Sequence, residues 1–426
     1  MKKIISFSVA FLSILVAVWL GASFYSARTT GNYMTSLPDL YKQHDYMHIK
    51  TIDHQQSAFS STGQFEIRFP NFIPASDKAP TALGLIVQYK ISNLLLPNSA
   101  GRFEWKIMGD DAIDPVLKQL FGQGPTVHGK GQLSYGGQRQ SSIELSELLF
   151  KDAQTALQLT PLVGQASWDN ATLKLQLKSD HFNARSESVV TDWRGISIDL
   201  NLSNRFLGLG TYAVNIDKGT GQSSSFEGMK LKKTTTLANN RFNLIISQTI
   251  KQYTYEKIKF SDVDQEFALR EMDKDSLMSI SAILRDAKDV NKLTADERVK
   301  LAQSLRELFN KGFSLGVPRL VATLDGGGLS GDLNIEVLKS EGSSETLFSS
   351  SQRLRASGQV NLNGKGGLDN AQRTTALMLG LAVKTPEGLK TSFEFANGAI
   401  TANGKTFDVK DNLKFLDNII NAALNP

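Results

Sequence analysis

Short segments of the chain alternate apolar and polar residues. This two-residue period is that of a β-strand with one buried face and one solvent-exposed face. Phe103, Trp105 and Ile107, for example, are separated by Glu104 and Lys106. The same alternation occurs in segments 65–69, 85–91, 173–177, 196–202, 212–216 and 258–260. Since buried parallel strands read as continuous apolar runs, the alternation favours an antiparallel sheet.

The period changes to that of a helix between residues 273 and 312. Thr294 and Glu297 have the spacing of a capping box, and Gly312 is placed to end the helix that follows. The apolar side of this helix carries Leu301, Ala302, Leu305, Leu308 and Phe309. With similar patterns further on, we predict helices near 273–311, 369–381 and 411–424.

Together these patterns predict an α+β fold, with an N-terminal membrane-anchor helix followed by a mainly antiparallel, elongated β-rich domain with a few covering helices. The Gly/Ser-rich run 219–225 is interpreted as a soft boundary. We therefore divide the chain into an anchor at 1–28, a β-rich periplasmic region at 29–225 and a second β-rich region with the helices at 226–426. The pattern leaves open whether these two regions form one sheet or two domains.

The first 28 residues have the pattern of a membrane anchor. Lys2 and Lys3 precede an apolar run from Ile4 to Tyr25. As a helix this run would be ~33 Å long, enough to cross a hydrocarbon core of ~30 Å. A basic head stays in the cytoplasm, so we expect a single-pass inner-membrane protein with its C-terminal domain in the periplasm. The alternative is a signal peptide cleaved near Gly21–Ser23, but the run exceeds the usual ~7–15 apolar residues.

Composition narrows the classes of function. The chain has 426 residues and no cysteine, which excludes disulfides, thiol catalysis and thiolate metal sites. Its 47 basic and 42 acidic residues are interspersed, and the formal net charge is only +5. Without a dense basic run, no feature favours nucleic acid as a partner.

Two local motifs match patterns found in hydrolase and metal sites, but neither lies in the structural context that such a site requires. Gly312–Gly316 matches G-x-S-x-G, but a helix precedes it and a strand follows, the reverse of a nucleophile elbow. His44, His48 and His54 could present imidazoles to a metal, but no further ligand completes the set. We therefore predict no catalytic, cofactor or metal site. Enzymatic activity is left undecided, leaning against it, with an envelope hydrolase as a remote alternative.

Three stretches carry a family resemblance: Ser57–Phe65, Gly195–Leu202 and Asn397–Gly404. Together with the anchor, they resemble the YdgA-like family of bacterial envelope proteins, a domain of unknown function. The resemblance covers nearly the whole chain. It implies a Gram-negative inner-membrane protein that faces the periplasm, and it implies no established activity or catalytic residues.

The alternating strands also predict a site. An apolar sheet face too extensive for the predicted helices to bury would form a groove for acyl chains. The predicted groove residues are Phe65, Phe69, Phe103, Trp105, Ile198 and Leu200. We therefore expect a non-enzymatic protein that binds or scaffolds an envelope component. The more specific form of this prediction is that the component is a lipid. The alternative is a module that contacts an envelope protein or a second copy of the chain, without lipid and without a cofactor.

Overall fold

The computed structural model divides the chain into two compact units, Met1–Val189 (unit 1) and Val190–Pro426 (unit 2). The described residues are 32, 34–39, 48–69, 83–93, 95–96, 99–152, 154–187, 190–286, 293–324, 327–340, 348–364 and 370–424. The expected anchor at 1–28 lies outside them. Among the described helices, none is long and apolar enough to span a membrane.

Unit 1 is an antiparallel sheet in which most neighbouring strands also follow each other along the chain. Its strands are β1 His48–Gln56, β2 Ser60–Phe69, β3 Leu83–Ser92, β4 Gly101–Gly109, β5 Val127–Leu133, β6 Arg139–Leu145, β7 Leu148–Lys151, β8 Ala156–Leu159, β9 Leu162–Trp168 and β10 Leu173–Arg185. The pairs Leu145–Leu162 and Leu148–Leu159 keep one register, so β7 continues the line of β6 and β8 that of β9. Helix α1, Asp114–Phe121, packs against β4 and β7.

Unit 2 contains a second antiparallel series, from β11 in order to β18 and then to β20, β21 and β22, with β19 paired to β20. Its strands are β11 Val190–Asn204, β12 Leu209–Gly221, β13 Ser224–Ala238, β14 Arg241–Tyr255, β15 Ile258–Asp273, β16 Phe313–Leu324, β17 Gly327–Val337, β18 Leu354–Gly364, β19 Val383–Lys384, β20 Gly388–Ala396, β21 Ala399–Ala402 and β22 Lys405–Asp408. The predicted mainly antiparallel sheet is confirmed. The Gly/Ser-rich run 219–225 lies at the hairpin between β12 and β13, whereas the division into units falls after Val189.

Helices cover one end of the unit 2 sheet. The described helices of this unit are α2 Lys274–Asp286, α3 Ala295–Lys311, α4 Ser350–Arg353, α5 Asn370–Met378 and α6 Lys410–Leu424. Buried Val337, Phe348 and Leu424 form a core cluster from strand, loop and α6. The residues packed against this cluster are Leu305, Phe309, Phe313, Leu354 and Ile420. The apolar side predicted for α3 therefore faces the core.

The capping box that begins α3 is present. The Thr294 hydroxyl accepts a hydrogen bond from the Glu297 N–H at 3.3 Å, and the Glu297 carboxylate accepts one from the Thr294 N–H at 2.8 Å. Gly312 ends the helix with a φ of 71°, a conformation that glycine adopts without steric cost. Both ends of α3 were therefore readable from local residue types.

Asp273 joins the ends of two helices in unit 2. It ends β15 and is buried. Its carboxylate accepts hydrogen bonds from the Ser276 N–H at 3.0 Å, the Ser276 hydroxyl at 2.8 Å and Lys311 Nζ at 2.8 Å. Burial disfavours the charged form, but these donors outweigh it and hold the pKa of Asp273 below its ordinary value. The start of α2 and the end of α3 are thus linked through one charged side chain.

Asp273→Asn should destabilise unit 2 near neutral pH, because an amide cannot form an ion pair with Lys311. Since the pKa of Asp273 is depressed, its stabilisation is fully present above an unfolded-state pKa of about 3.9 and is lost as the pH falls through the folded-state value. We expect the free energy of unfolding in urea to fall by about 1–3 kcal/mol at pH 7. The difference from wild type should shrink near pH 3.

The matched control is Asp217→Asn, at an exposed carboxylate of the same unit. This variant should stay within ~0.5 kcal/mol of wild type at both pH values. A loss in Asp273→Asn that is equally large at pH 7 and pH 3 would contradict the role assigned to its charge.

Candidate ligand-binding face

Strand register in unit 1 decides which predicted groove residues share a face. Residues directly opposite each other on neighbouring strands lie on one face, and so do residues two apart along a strand. Phe65 lies opposite Val87, which lies opposite Ile107. Trp105 and Phe103 precede Ile107 at two-residue steps along β4. The predicted groove residues on this face are Phe65, Phe69, Phe103 and Trp105.

These four residues belong to a larger surface, which we call the unit 1 apolar face. Following the register from β1 to β10 adds Ile49, Ile67, Leu83, Leu85, Val87, Tyr89, Ile91, Ile107, Val127, Leu133, Ile143, Leu145, Leu162, Ala166, Trp168, Leu173, Leu175 and Leu177. Apart from Val87, Tyr89 and Ala166, all of these side chains are half-buried. The face therefore keeps part of its apolar area accessible.

The opposite face of the same strands is polar. Glu104 lies opposite Lys130, and their charged groups are 3.2 Å apart. His128 lies opposite Glu144, with Nε2 and the carboxylate 3.6 Å apart. Because successive side chains point to opposite faces, a register slip of one residue would exchange the apolar and polar sets.

Two aromatic side chains on the apolar face lie over glycines of the neighbouring strand. A methyl group added at Gly129 would lie 2.9 Å from the Trp105 ring, and one at Gly131 would lie closer still to the Phe103 ring. Only hydrogen fits at these positions, so both rings pack against the backbone of β5. The Trp105 indole also donates a hydrogen bond to the Ser141 hydroxyl, with 2.9 Å between Nε1 and Oγ.

A polar pair lies within the apolar face. A register shift between Thr51 and Asp53 in β1 places His54 opposite Gly63, which lies opposite Tyr89. His54 Nδ1 and the Tyr89 hydroxyl oxygen are 2.7 Å apart. Burial, with a smaller contribution from the charge of Asp53, raises the pKa of Tyr89 to about 12. The phenol is therefore protonated at neutral pH.

Sequence reasoning missed this pair and placed His54 in a candidate metal cluster. His44 lies outside the described residues, and no group of three or more His, Cys, Asp or Glu within them is arranged to hold a metal. Instead, His54 Nε2 and the hydroxyl of fully buried Ser61 have no hydrogen-bond partner among the described residues. The register shift that brings His54 to this face leaves no signature in the residue pattern, because β1 lacks strict alternation.

The remaining two predicted groove residues lie in unit 2. Ile198 and Leu200 are in β11, opposite Val214 and Tyr212 of β12, and they share one face of that sheet. The structure thus groups four of the predicted residues within unit 1 and the other two within unit 2.

The G-x-S-x-G motif lies beside a small cavity of unit 2. Gly312 is the cap of α3, and Ser314 lies in β16 opposite Glu336. The cavity has a volume of about 250 Å³, and its polar side chains are Arg270, Ser314, Asp332 and Asn334. No described histidine lines it, so the Ser314 hydroxyl has no imidazole base beside it there.

A sequence model described as "Bacterial protein of unknown function (DUF945)" matches residues 1–410. No curated protein and no solved structure matches the chain. The whole unit 1 apolar face lies within the matched residues.

Gly129→Ala should destabilise unit 1 and displace Trp105. The added methyl group would overlap the Ser142 carbonyl oxygen and the indole ring, and overpacking of this kind costs about 1–3 kcal/mol. Urea unfolding measures the loss, and tryptophan emission reports the displaced ring. The control is Gly136→Ala in the β5–β6 turn, where the nearest atom would be 3.9 Å away. Equal stability of the two variants would show that the ring does not depend on the glycine.

Proposed function

The chain belongs to the DUF945 family of bacterial proteins of unknown function, and we propose that it binds the acyl chains of a lipid on the unit 1 apolar face without catalysing a reaction. The observation that supports this function is the half-buried state of nearly every side chain on that face. Accessible apolar patches larger than roughly 300–600 Å² usually mark ligand or partner sites. The narrower YdgA-like naming stays a prediction.

Acyl chains suit this face for physical reasons. Each methylene group removed from water contributes about 0.8 kcal/mol, and the half-buried side chains lose their remaining exposure at the same time. Trp105 and Phe103 are already held against Gly129 and Gly131. Because these rings need little reordering, the entropy lost on binding is small.

We also propose that the protein is a single-pass inner-membrane protein with both units in the periplasm. The support is the basic head at Lys2 and Lys3 and the apolar run Ile4–Tyr25. An anchor of this kind would keep the apolar face close to a source of lipid.

A feature of unit 2 supports a second candidate, contact with an envelope protein or with a second copy of the chain. Phe415 and Ile419 stand four residues apart on α6 and are 74% and 52% exposed. Ile420 and Leu424 on the same helix pack into the core. The exposed stripe is thus a separate apolar surface with the spacing that a partner helix would bury.

Trp105→Glu should weaken lipid binding by at least tenfold, because it places a charge in the middle of the proposed acyl-chain surface. The measurement is titration of the purified full-length protein with a fluorescent fatty acid. Gln132→Glu is the matched control, since it adds the same charge on the neighbouring strand but on the polar face. Circular dichroism should be unchanged in both variants.

Organic extraction and mass spectrometry of the wild-type protein complete this test. We expect acyl lipids to co-purify with it and to be depleted in Trp105→Glu. If no lipid co-purifies and the wild-type protein does not bind the probe, the lipid function is wrong. If Trp105→Glu binds the probe like wild type, the acyl chain does not bind on the unit 1 apolar face. A loss of self-association in Phe415→Ser under those conditions would support the second candidate instead.

Membrane fractionation tests the anchor. The full-length protein should stay with the inner membrane after carbonate washing. Its N-terminal peptide should still contain Lys2 and Lys3, with or without Met1. A reporter fused after Pro426 should be active only in the periplasm. A soluble form that begins near Phe24 would establish a cleaved signal peptide.

A further inference from the structure

One end of the unit 1 apolar face carries polar groups that the proposed function does not use. They are His54, Ser61 and Tyr89, on β1, β2 and β3. Through Gly63, the register places His54 and Tyr89 on the same face as Trp105. Buried polar groups in proteins are normally hydrogen-bonded, so an unpaired one in an apolar surface calls for a partner.

The hydrogen bond between His54 and Tyr89 determines which group is left unpaired. If the phenol donates to Nδ1, the neutral imidazole carries its proton on Nε2, and one donor is left over. If Nδ1–H donates to the phenol oxygen, the phenolic proton and the Nε2 lone pair are both left over. The first arrangement leaves fewer buried groups unsatisfied. Nε2–H is then a donor without an acceptor among the described residues.

The charges around this pair disfavour an anionic partner. Asp53 directly precedes His54 in β1, where it is exposed and lies opposite Gln64. Its charge contributes to the raised pKa of Tyr89, so a second anion at His54 would be repelled. A cation, Arg139, lies on the same face but on β6, opposite Leu133. Five strand spacings separate β6 from β1, roughly 24 Å at ~4.8 Å each. An anionic head group would therefore favour the Arg139 side of the face.

Resting on the lipid function proposed above, we propose that the His54 end of the unit 1 apolar face binds the polar end of the lipid, and that this end is a neutral acyl ester. The ester carbonyl oxygen accepts the hydrogen bond from His54 Nε2–H. An ester supplies this acceptor without adding a charge beside Asp53. Ser61 lies one cross-strand row from His54 on the same face, but it is fully buried, so the contact with the ester is assigned to His54 alone.

The test compares three ligands that share one sixteen-carbon chain length: hexadecane, methyl palmitate and palmitate. Each is supplied from cyclodextrin and displaces a bound fluorescent fatty acid from the purified full-length protein. Methyl palmitate should bind roughly tenfold more tightly than either of the others, which corresponds to about 1.4 kcal/mol. His54→Phe should remove this advantage, so that methyl palmitate and hexadecane bind with similar affinity. His54→Gln, which keeps an N–H donor, should retain part of it.

A spectroscopic measurement separates a direct contact from a structural role of His54. With methyl palmitate labelled with ¹³C at the carbonyl, the infrared carbonyl band should move to lower frequency on binding to wild type. The band should stay at its position for an apolar environment in His54→Phe. Arg139→Gln is the matched control, because it alters a polar side chain of the same face and should leave both the band and the ester preference unchanged.

The outcomes separate this inference from the lipid function. Equal binding of the ester and hexadecane, or a palmitate preference that disappears in Arg139→Gln, would overturn the ester assignment while acyl-chain binding stands. An ester preference that survives in His54→Phe would also overturn it. If none of the three ligands displaces the probe from wild type, the lipid function itself is wrong and the ester assignment falls with it.

Discussion

Backbone pairing between consecutive antiparallel strands is the constraint on which the rest of this structure depends. From β1 to β6, each strand is hydrogen-bonded to the next in a fixed register, and the register decides which side chains share a face. Phe65, Val87, Ile107 and Val127 come from four strands and form one row for this reason. Glu104 and Lys130 form an ion-paired row on the opposite side. The two-sided sheet of unit 1 is thus a direct result of pairing.

The two units bury their apolar residues in different ways. In unit 2, α3 and α6 supply Leu305 and Leu424 to a cluster around Val337, so one end of the sheet has a closed core. In unit 1, the aromatic rings of Phe103 and Trp105 pack against backbone, and the face retains accessible area. A closed core contributes mainly stability, whereas an accessible apolar face is available for a ligand.

Polar groups at different places on the apolar face can orient a ligand that lies on it. Hydrophobic contact is non-directional, so an apolar surface alone does not orient a chain lying on it. His54 and Tyr89 form a hydrogen-bonded pair at one end of the face, and Arg139 lies toward the other. A hydrogen bond contributes only a modest net free energy of binding. A wrong orientation would leave buried polar groups unpaired, which is costly, so hydrogen bonds and charges select the orientation. In the lipid complex that we propose, hydrophobic contacts would bind the chain and these polar groups would orient the head.

The residue pattern by itself determined that the fold is a mainly antiparallel sheet, which segments alternate strictly, and where the capped helix after Thr294 begins and ends, because period and capping are local properties. The sharing of one face by Phe65 and Trp105 also required the cross-strand register. Tertiary structure alone decided the division into units after Val189, since contacts between distant segments define a unit. It also decided the pairing of His54 with Tyr89. That contact joins residues 35 positions apart and depends on a register shift within β1, and no local periodicity encodes a shift that only cross-strand packing selects.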